Sequence, residues 1–209
     1  MCRTARASLP ITPRGGAGGT ARAYGSIAAS RTILSYEGDL AVVWFDAHAD
    51  MNTLASSPSQ TFHGMPLRVL MGEGERALRA AAYSTVWPDQ VILAGVRDLD
   101  ADEAAVIDRR DVALVSIDAL GDPASISAAV RATGADNLYV HIDFDVLDPV
   151  AFPHAFVPTP NGLPLRALID ALGRLAERHP IVGASMVELA PGDAGAAEAV
   201  RELYDALSL

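Results

Sequence analysis

A three-layer α/β/α fold around a mostly parallel sheet is what this sequence predicts. Three observations carry that expectation. Apolar runs with β-branched and aromatic members recur along the chain, as strands covered on both faces require. Between them lie stretches with apolar residues at helical spacing, and such strand–helix alternation implies a parallel sheet with helices on both sides. Two of the strands run straight into alternating acids, which describes a ligand site at the carboxyl edge of such a sheet.

The first strand, Val42-Val43-Trp44-Phe45, leads into Asp46-Ala47-His48-Ala49-Asp50-Met51-Asn52. In an extended chain, residues two apart share a face, so Asp46, His48 and Asp50 are expected to converge on one point. Two carboxylates and an imidazole suit a divalent ion, with manganese, zinc and iron all allowed. A lone Asp would more simply cap the next element. Three metal-capable side chains at this spacing favour a metal. Asn52 to Thr61 is a polar loop, placed where substrate contacts belong, and it runs into Phe62-His63-Gly64-Met65-Pro66.

Gly74 to Tyr83 reads as a short helix rich in Ala and Arg, and Gln90 to Val96 as a strand. Asp100 stands where it would cap a helix from Ala101, with Asp102 and Glu103 favoured in the first turn. Val112 to Ile117 is the next strand, and Pro123 to Thr133 a helix ended by Gly134. The strand from Asn137 then carries His141, Asp143 and Asp145, all of one parity. Asp46, His48, Asp50, Asp143 and Asp145 make five ligands, more than one ion takes while leaving room for substrate, so carboxylates shared between two ions fit better. Phe152 to Pro160 is a proline-rich connection. Leu163 to Arg178 reads as a helix with Pro164 in its first turn. Ile181 to Val187 is the last strand, ending in Glu188-Leu189-Ala190-Pro191, and Ala194 to Leu207 a closing helix.

Composition narrows the function classes. The net charge of −10 argues against nucleic acid as a partner and is compatible with a cationic substrate. With no long apolar run, no membrane span is indicated. The single cysteine, Cys2, excludes an intramolecular disulfide and fits a reducing, cytoplasmic location. Residues 1–36 differ from the remainder: they hold five Arg, no acid and the run Gly15 to Gly19. The glycines and prolines speak against a transit peptide, and the run lacks the strand and ending of a phosphate loop. The expected division is therefore an atypical Gly/Arg-rich segment, 1–36, and the α/β domain that carries the acids, 37–209.

Asp46-Ala47-His48-Ala49-Asp50-Met51-Asn52, then His63-Gly64-Met65-Pro66, then Asp143-Phe144-Asp145 with Leu147-Asp148-Pro149, together resemble the ureohydrolase family of arginases and agmatinases. The resemblance runs in order from about Leu40 to the C-terminus. It implies the arginase–deacetylase type of three-layer fold, here expected to lack its N-terminal strands and so to leave a sheet edge open. It implies two Mn²⁺ ions and hydrolysis of a guanidino compound to urea and an amine by a hydroxide between them. One ion would take Asp46, His48, Asp143 and Asp145, and the other Asp46, Asp50 and Asp143. His63 matches the proton-shuttling histidine and Glu188 the glutamate that pairs with the guanidinium. Asn52 and Ser59 match contacts to the substrate carboxylate, and Asp100 lies where the α-amino group is met; Gln60 and Thr61 depart from the usual Gly-Asn. The family's upstream motif supplies a further metal-binding histidine, but Thr20 falls near that position and no histidine precedes His48. His141 has the parity of Asp143 yet sits roughly 6–7 Å back along the strand, so a weakened second site is the expectation. The resemblance also implies a small-molecule substrate and a homo-oligomer. Agmatine or another amidine as substrate, or a metal-binding but inactive subunit or truncated gene product, are the alternative readings.

Overall fold

A computed structural model of the chain describes residues 35–36, 38–190 and 194–209; the expectations for residues 1–34 and for Pro191 lie outside the described residues. Five strands, β1 (Leu40–Phe45), β2 (Val91–Ala94), β3 (Ala113–Val115), β4 (Asn137–Asp143) and β5 (Ile181–Val187), form one sheet in the order β3-β2-β1-β4-β5. Every pairing is parallel. All six residues of β1 are buried, as a central strand with no polar face must be.

The two faces of the sheet carry separate apolar layers. On one face, Ala41, Val43 and Phe45 of β1 and Leu138, Val140 and Ile142 of β4 meet Ile126 and Val130 of α5 (Pro123–Thr133). Leu168, Leu172 and Leu175 of α6 (Leu165–Ala176), with Leu203 of α7 (Ala194–Leu207), complete this layer. On the other face, Leu40, Val42, Trp44 and Tyr139 meet Leu67 and Leu70 of α1 (Pro66–Leu70) and Val106 and Ile107 of α3 (Ala101–Arg110). The three-layer architecture is the one the alternating pattern predicts. Among the described residues, β3 and β5 are the edges of the sheet.

Several boundaries are tighter than the sequence suggests. The helix in Gly74–Tyr83 is α2 (Arg76–Ala81). The strand expected over Gln90–Val96 keeps only Val91–Ala94, since Gln90 closes a 3-10 turn and Gly95 takes φ +93, where a Cβ would meet Val146 Cγ2 at 2.8 Å. The strand expected over Val112–Ile117 shrinks to Ala113–Val115 because Ser116 starts a new helix, α4 (Ile117–Leu120), its hydroxyl accepting from the Ala119 N–H. Pro164 stands before α6 rather than in its first turn. By contrast, α5 has the bounds expected: the Asp122 side chain accepts from the Ala124 N–H at its start, and Gly134 at φ +74 ends it.

Candidate metal centre and adjoining cleft

The strand order places the acids. From β1 the chain winds outward through β2 and β3, then returns to lay β4 on the other side of β1. The carboxyl ends of β1 and β4 therefore lie side by side at the point where the winding reverses, the crevice in which open α/β sheets bind ligands. The pairing runs through Phe45 and Ile142, so Asp46 and Asp143 follow directly at the edge.

Apart from Asp143, which closes β4, the acids do not sit on an extended pleat. Beyond Phe45 the chain bends at Ala47 and His48, and Asp50 adopts φ +55. The cause is backbone donors turning onto carboxylates: His48 N–H donates to Asp46 Oδ1 (2.7 Å) and Ala47 N–H to Asp145 Oδ1 (2.9 Å). Asp tolerates the left-handed conformation better than most residues. Asp46 is held further by the Trp44 indole, whose Nε1–H donates to Oδ2 at 3.2 Å, and Asp143 Oδ1 accepts from Asp145 N–H at 3.0 Å.

Among the described residues, two metal-capable groups result. Asp46, His48 and Asp145 each present a ligand atom within 4.8 Å of the others, and so do Asp46, Asp50 and His141. Asp46 belongs to both. Asp143, fully buried beside them, falls outside both sets. The second set contains His141, which local spacing had set aside. Its parity was legible; its place opposite Trp44 in the β1–β4 register was not.

The electrostatics fit a cation. Asp46, Asp50, Asp143 and Asp145 are all at most 1 % exposed, and buried like charges are costly unless an opposite charge joins them. Without an ion, that charge is the His48 imidazolium, with Nδ1 3.0 Å from Asp145 and 3.4 Å from Asp46. Burial alone would lower the His48 pKa, but the hydrogen bonds to Asp145 and Asp46 and their charges outweigh it and raise it to about 11. Burial likewise works to raise Asp145, yet the His48 hydrogen bond and charge hold it below the usual carboxylate range. Oxygen ligands with one imidazole per group are the donor set of a borderline divalent ion, so these residues fit two such ions.

A cleft of about 190 Å³ opens beside the first group, lined by His48, Asp50, Asn52, Ser59, His63 and Asp100 among others. The structure thus brings five of the expected contact and ligand residues to one cavity with His63. The Asn52 amide is already engaged: Nδ2 donates to Asp100 Oδ2 and Oδ1 accepts from Ser56 Oγ, both at 2.8 Å. Ser59 Oγ lies 2.6 Å from Thr61 Oγ1, which lies 2.8 Å from His63 Nε2. Glu188 stands at the carboxyl end of β5 in the left-handed region, φ +61, and does not line this cleft.

Two residues that the sequence reading did not assign to the site support it. Glu103, 4 % exposed, accepts from the backbone N–H of Met51 (3.0 Å) and of Asp100 (3.1 Å), tying α3 to the ligand loop. Its burial raises the carboxyl pKa against those two hydrogen bonds. The Asp-x-x-Glu spacing was a visible capping signal, but the Met51 contact is not local. Arg97 donates to the carbonyl oxygens of Gly95, Asp145, Thr159 and Pro160, for which no sequence signal exists.

Comparison with known proteins agrees with this fold. Residues 16–204 match the model of the arginase family. The chain is 34 % identical over 175 residues to an arginase of Staphylococcus aureus (strain COL), covering 81 % of this chain and 57 % of that protein. It is 35 % identical over 159 residues to an arginase of Bacillus caldovelox, covering 73 % and 53 %. The crystal structure of arginase from Bacillus cereus superposes with a TM-score of 0.81 at 28 % identity, covering 91 % of this chain and 69 % of that one. The chain thus spans little more than half the length of the curated relatives it matches.

Proposed function

The chain belongs to the arginase family, and on that premise we propose that it hydrolyses the guanidinium group of an arginine-like compound to urea and a primary amine. The observation that carries this reading is the pair of carboxylate–imidazole groups sharing Asp46 at the β1–β4 switch point, next to the cleft that holds His63. We assign Asp46, His48, Asp50, Asp143 and Asp145 to the metal centre and Mn²⁺ as the ion, in keeping with an oxygen-rich donor set. Divalent ions held by these residues would lower the pKa of a water and so provide a nucleophile at neutral pH.

The protein groups do the rest. Glu188, outside the cleft at the carboxyl end of β5, is the carboxylate we assign to the cationic guanidinium, whose charge-assisted hydrogen bonds would orient the planar carbon once substrate is bound. His63, steadied by Thr61 Oγ1, passes a proton to the departing amine. Within the cleft, Asp100 meets the substrate ammonium, and Asn52 and Ser59 meet its carboxylate. The Asn52–Asp100 bond presets both.

The test is urea release from L-arginine and from agmatine in the presence of added Mn²⁺. Turnover of L-arginine above agmatine is the expected result, because Asn52 and Ser59 serve a carboxylate that agmatine lacks. Preference for agmatine would move the reading to the sister activity. No urea from either, with metal bound, would leave a metal-binding protein without this catalysis.

A further inference from the structure

We infer that His141 is the imidazole ligand of the second ion, completing a site with Asp46 and Asp50. The inference rests on the two-ion reading above and specifies which residue of this chain makes the second site work. It replaces the expectation that this ion is held by carboxylates alone.

The position of His141 is unusual for a histidine. It lies in the middle of β4, 2 % exposed, between the central strand and β5. A polar ring in that place is costly unless its nitrogens are used. Nδ1 is used by Ser185 of β5, its register partner, at 2.8 Å. With Nδ1 engaged by Ser185, Nε2 is the nitrogen that carries a metal bond. When the hydroxyl accepts from Nδ1–H, the tautomer with a lone pair on Nε2 is fixed, the arrangement found behind metal-bound histidines.

The ring is also aimed. Trp44 stacks on His141 with centroids 3.5 Å apart and planes within 11°. The same indole donates to Asp46 Oδ2. One side chain therefore sets the orientation of two ligands of the site. Asp46, Asp50 and His141 are all buried and their ligand atoms fall within 4.8 Å of one another. Ligands on one ion, with bonds of about 2.0–2.2 Å, stand at most about 4.4 Å apart, so small adjustments close the site. A histidine kept only for packing would need Trp44 and Ser185 but not two buried carboxylates facing it.

The site takes a borderline divalent cation such as Mn²⁺ or Zn²⁺, with Asp46 common to both ions. Asp46 and His48 with Asp145 hold the first ion; Asp46 and Asp50 with His141 hold the second. The sheet itself thus supplies an imidazole to each ion, one from the turn after β1 and one from inside β4.

The decisive experiment is a Mn²⁺ titration of the full chain and of His141→Phe, which keeps an aromatic ring against Trp44 but has no nitrogen. Bound metal is read by elemental analysis, and coupling between adjacent ions by electron paramagnetic resonance. Two ions in the wild type, and in His141→Phe one ion, loss of the coupled signal and at least about a 100-fold weaker second affinity, is the expected result; that loss is set by the upper end of what outer-sphere partners cost. Two ions held equally well by both proteins would overturn the inference while leaving the two-ion reading intact. No bound ion in the wild type would instead remove the two-ion reading itself. Should His141→Phe fail to fold, the wild type alone decides: with ¹⁵N-labelled histidine and Zn²⁺, the imidazole nitrogens of both His48 and His141 must shift. A shift confined to His48 would overturn the assignment.

Discussion

Replacing Arg97 tests how the centre is held without touching a ligand. Its guanidinium donates to Asp145 O and Thr159 O at 2.7 Å, to Pro160 O at 2.8 Å and to Gly95 O at 3.2 Å. Its own backbone N–H donates to Ala47 O at 2.8 Å, so one residue ties the turn after β1, the turn after β4 and the 159–160 loop together. Burial lowers the Arg97 pKa, and the charges of Asp145 and Asp46 oppose that, as expected of a cation placed against the acid cluster. A charged hydrogen bond contributes about 1.5–3 kcal/mol. Arg97 is half-buried, and water can re-satisfy some of the four carbonyls, so Arg97→Met should cost about 3–5 kcal/mol in the metal-free chain. Arg97→Lys, a compact charge without the planar fork, should cost about 2–3 kcal/mol. Bound ions take over part of the charge balance, so both costs should shrink when metal is present. Urea unfolding with chelator and with Mn²⁺ measures this, provided the slope with denaturant is unchanged. A loss below about 1 kcal/mol for Arg97→Met, or an equal loss with and without metal, would refute the argument.

Asp46 is common to both ligand groups, so Asp46→Asn should remove both ions, whereas His48→Ala should spare the one held by Asp50; elemental analysis separates the two outcomes. Glu103→Ala leaves the Met51 and Asp100 N–H groups without their acceptor and should destabilise by about 2–4 kcal/mol, with Glu103→Gln milder; thermal or urea unfolding reads the difference. For pH, the His48 pKa lies above its unfolded value, so its contribution in the metal-free chain is complete below about 6.5 and lost as pH rises through about 11. Metal-free stability should therefore decline between pH 7 and pH 10, and a flat profile over that range would contradict the His48–Asp145 pairing.

The sequence shows β1, β4 and α5 plainly because their signals are local. Six buried apolar residues in a row, or Asp122 and Gly134 bracketing eleven helical ones, need no knowledge of the remaining chain. The helices Pro66–Leu70 and Ile117–Leu120 escape because they are shorter than the span over which periodicity declares itself. The candidate site divides in the same way. Asp46, His48, Asp50, Asp143 and Asp145 are visible as alternating ligands after apolar strands, yet the reason for their convergence is not the pleat. It is an acceptor 98 residues away, Asp145, that takes up the Ala47 N–H and bends the chain. His141 was legible only as a matter of parity. That it joins Asp46 and Asp50 depends on a parallel register between strands more than ninety residues apart, which no local window contains.

The same buried negative charge organises the centre with and without metal. Four carboxylates brought to one edge of a sheet repel one another, and the metal-free chain answers with the two cations within reach. His48 sits between Asp46 and Asp145, while Arg97 donates to the Asp145 carbonyl. These cations differ in what they can give up. Arg97 keeps its charge at any working pH and is bound to the backbone, so it remains when metal arrives. His48 holds a proton that a metal must displace, because only the neutral imidazole is a ligand. His48 is therefore a placeholder at the first site. At the second, Asp50 and Asp46 stand with His141, whose Nδ1 lies 2.8 Å from Ser185 Oγ. The first ion thus binds against a proton, so its affinity in a Mn²⁺ titration should tighten as pH rises from 7 to 9; an affinity that does not change with pH would refute the placeholder role of His48.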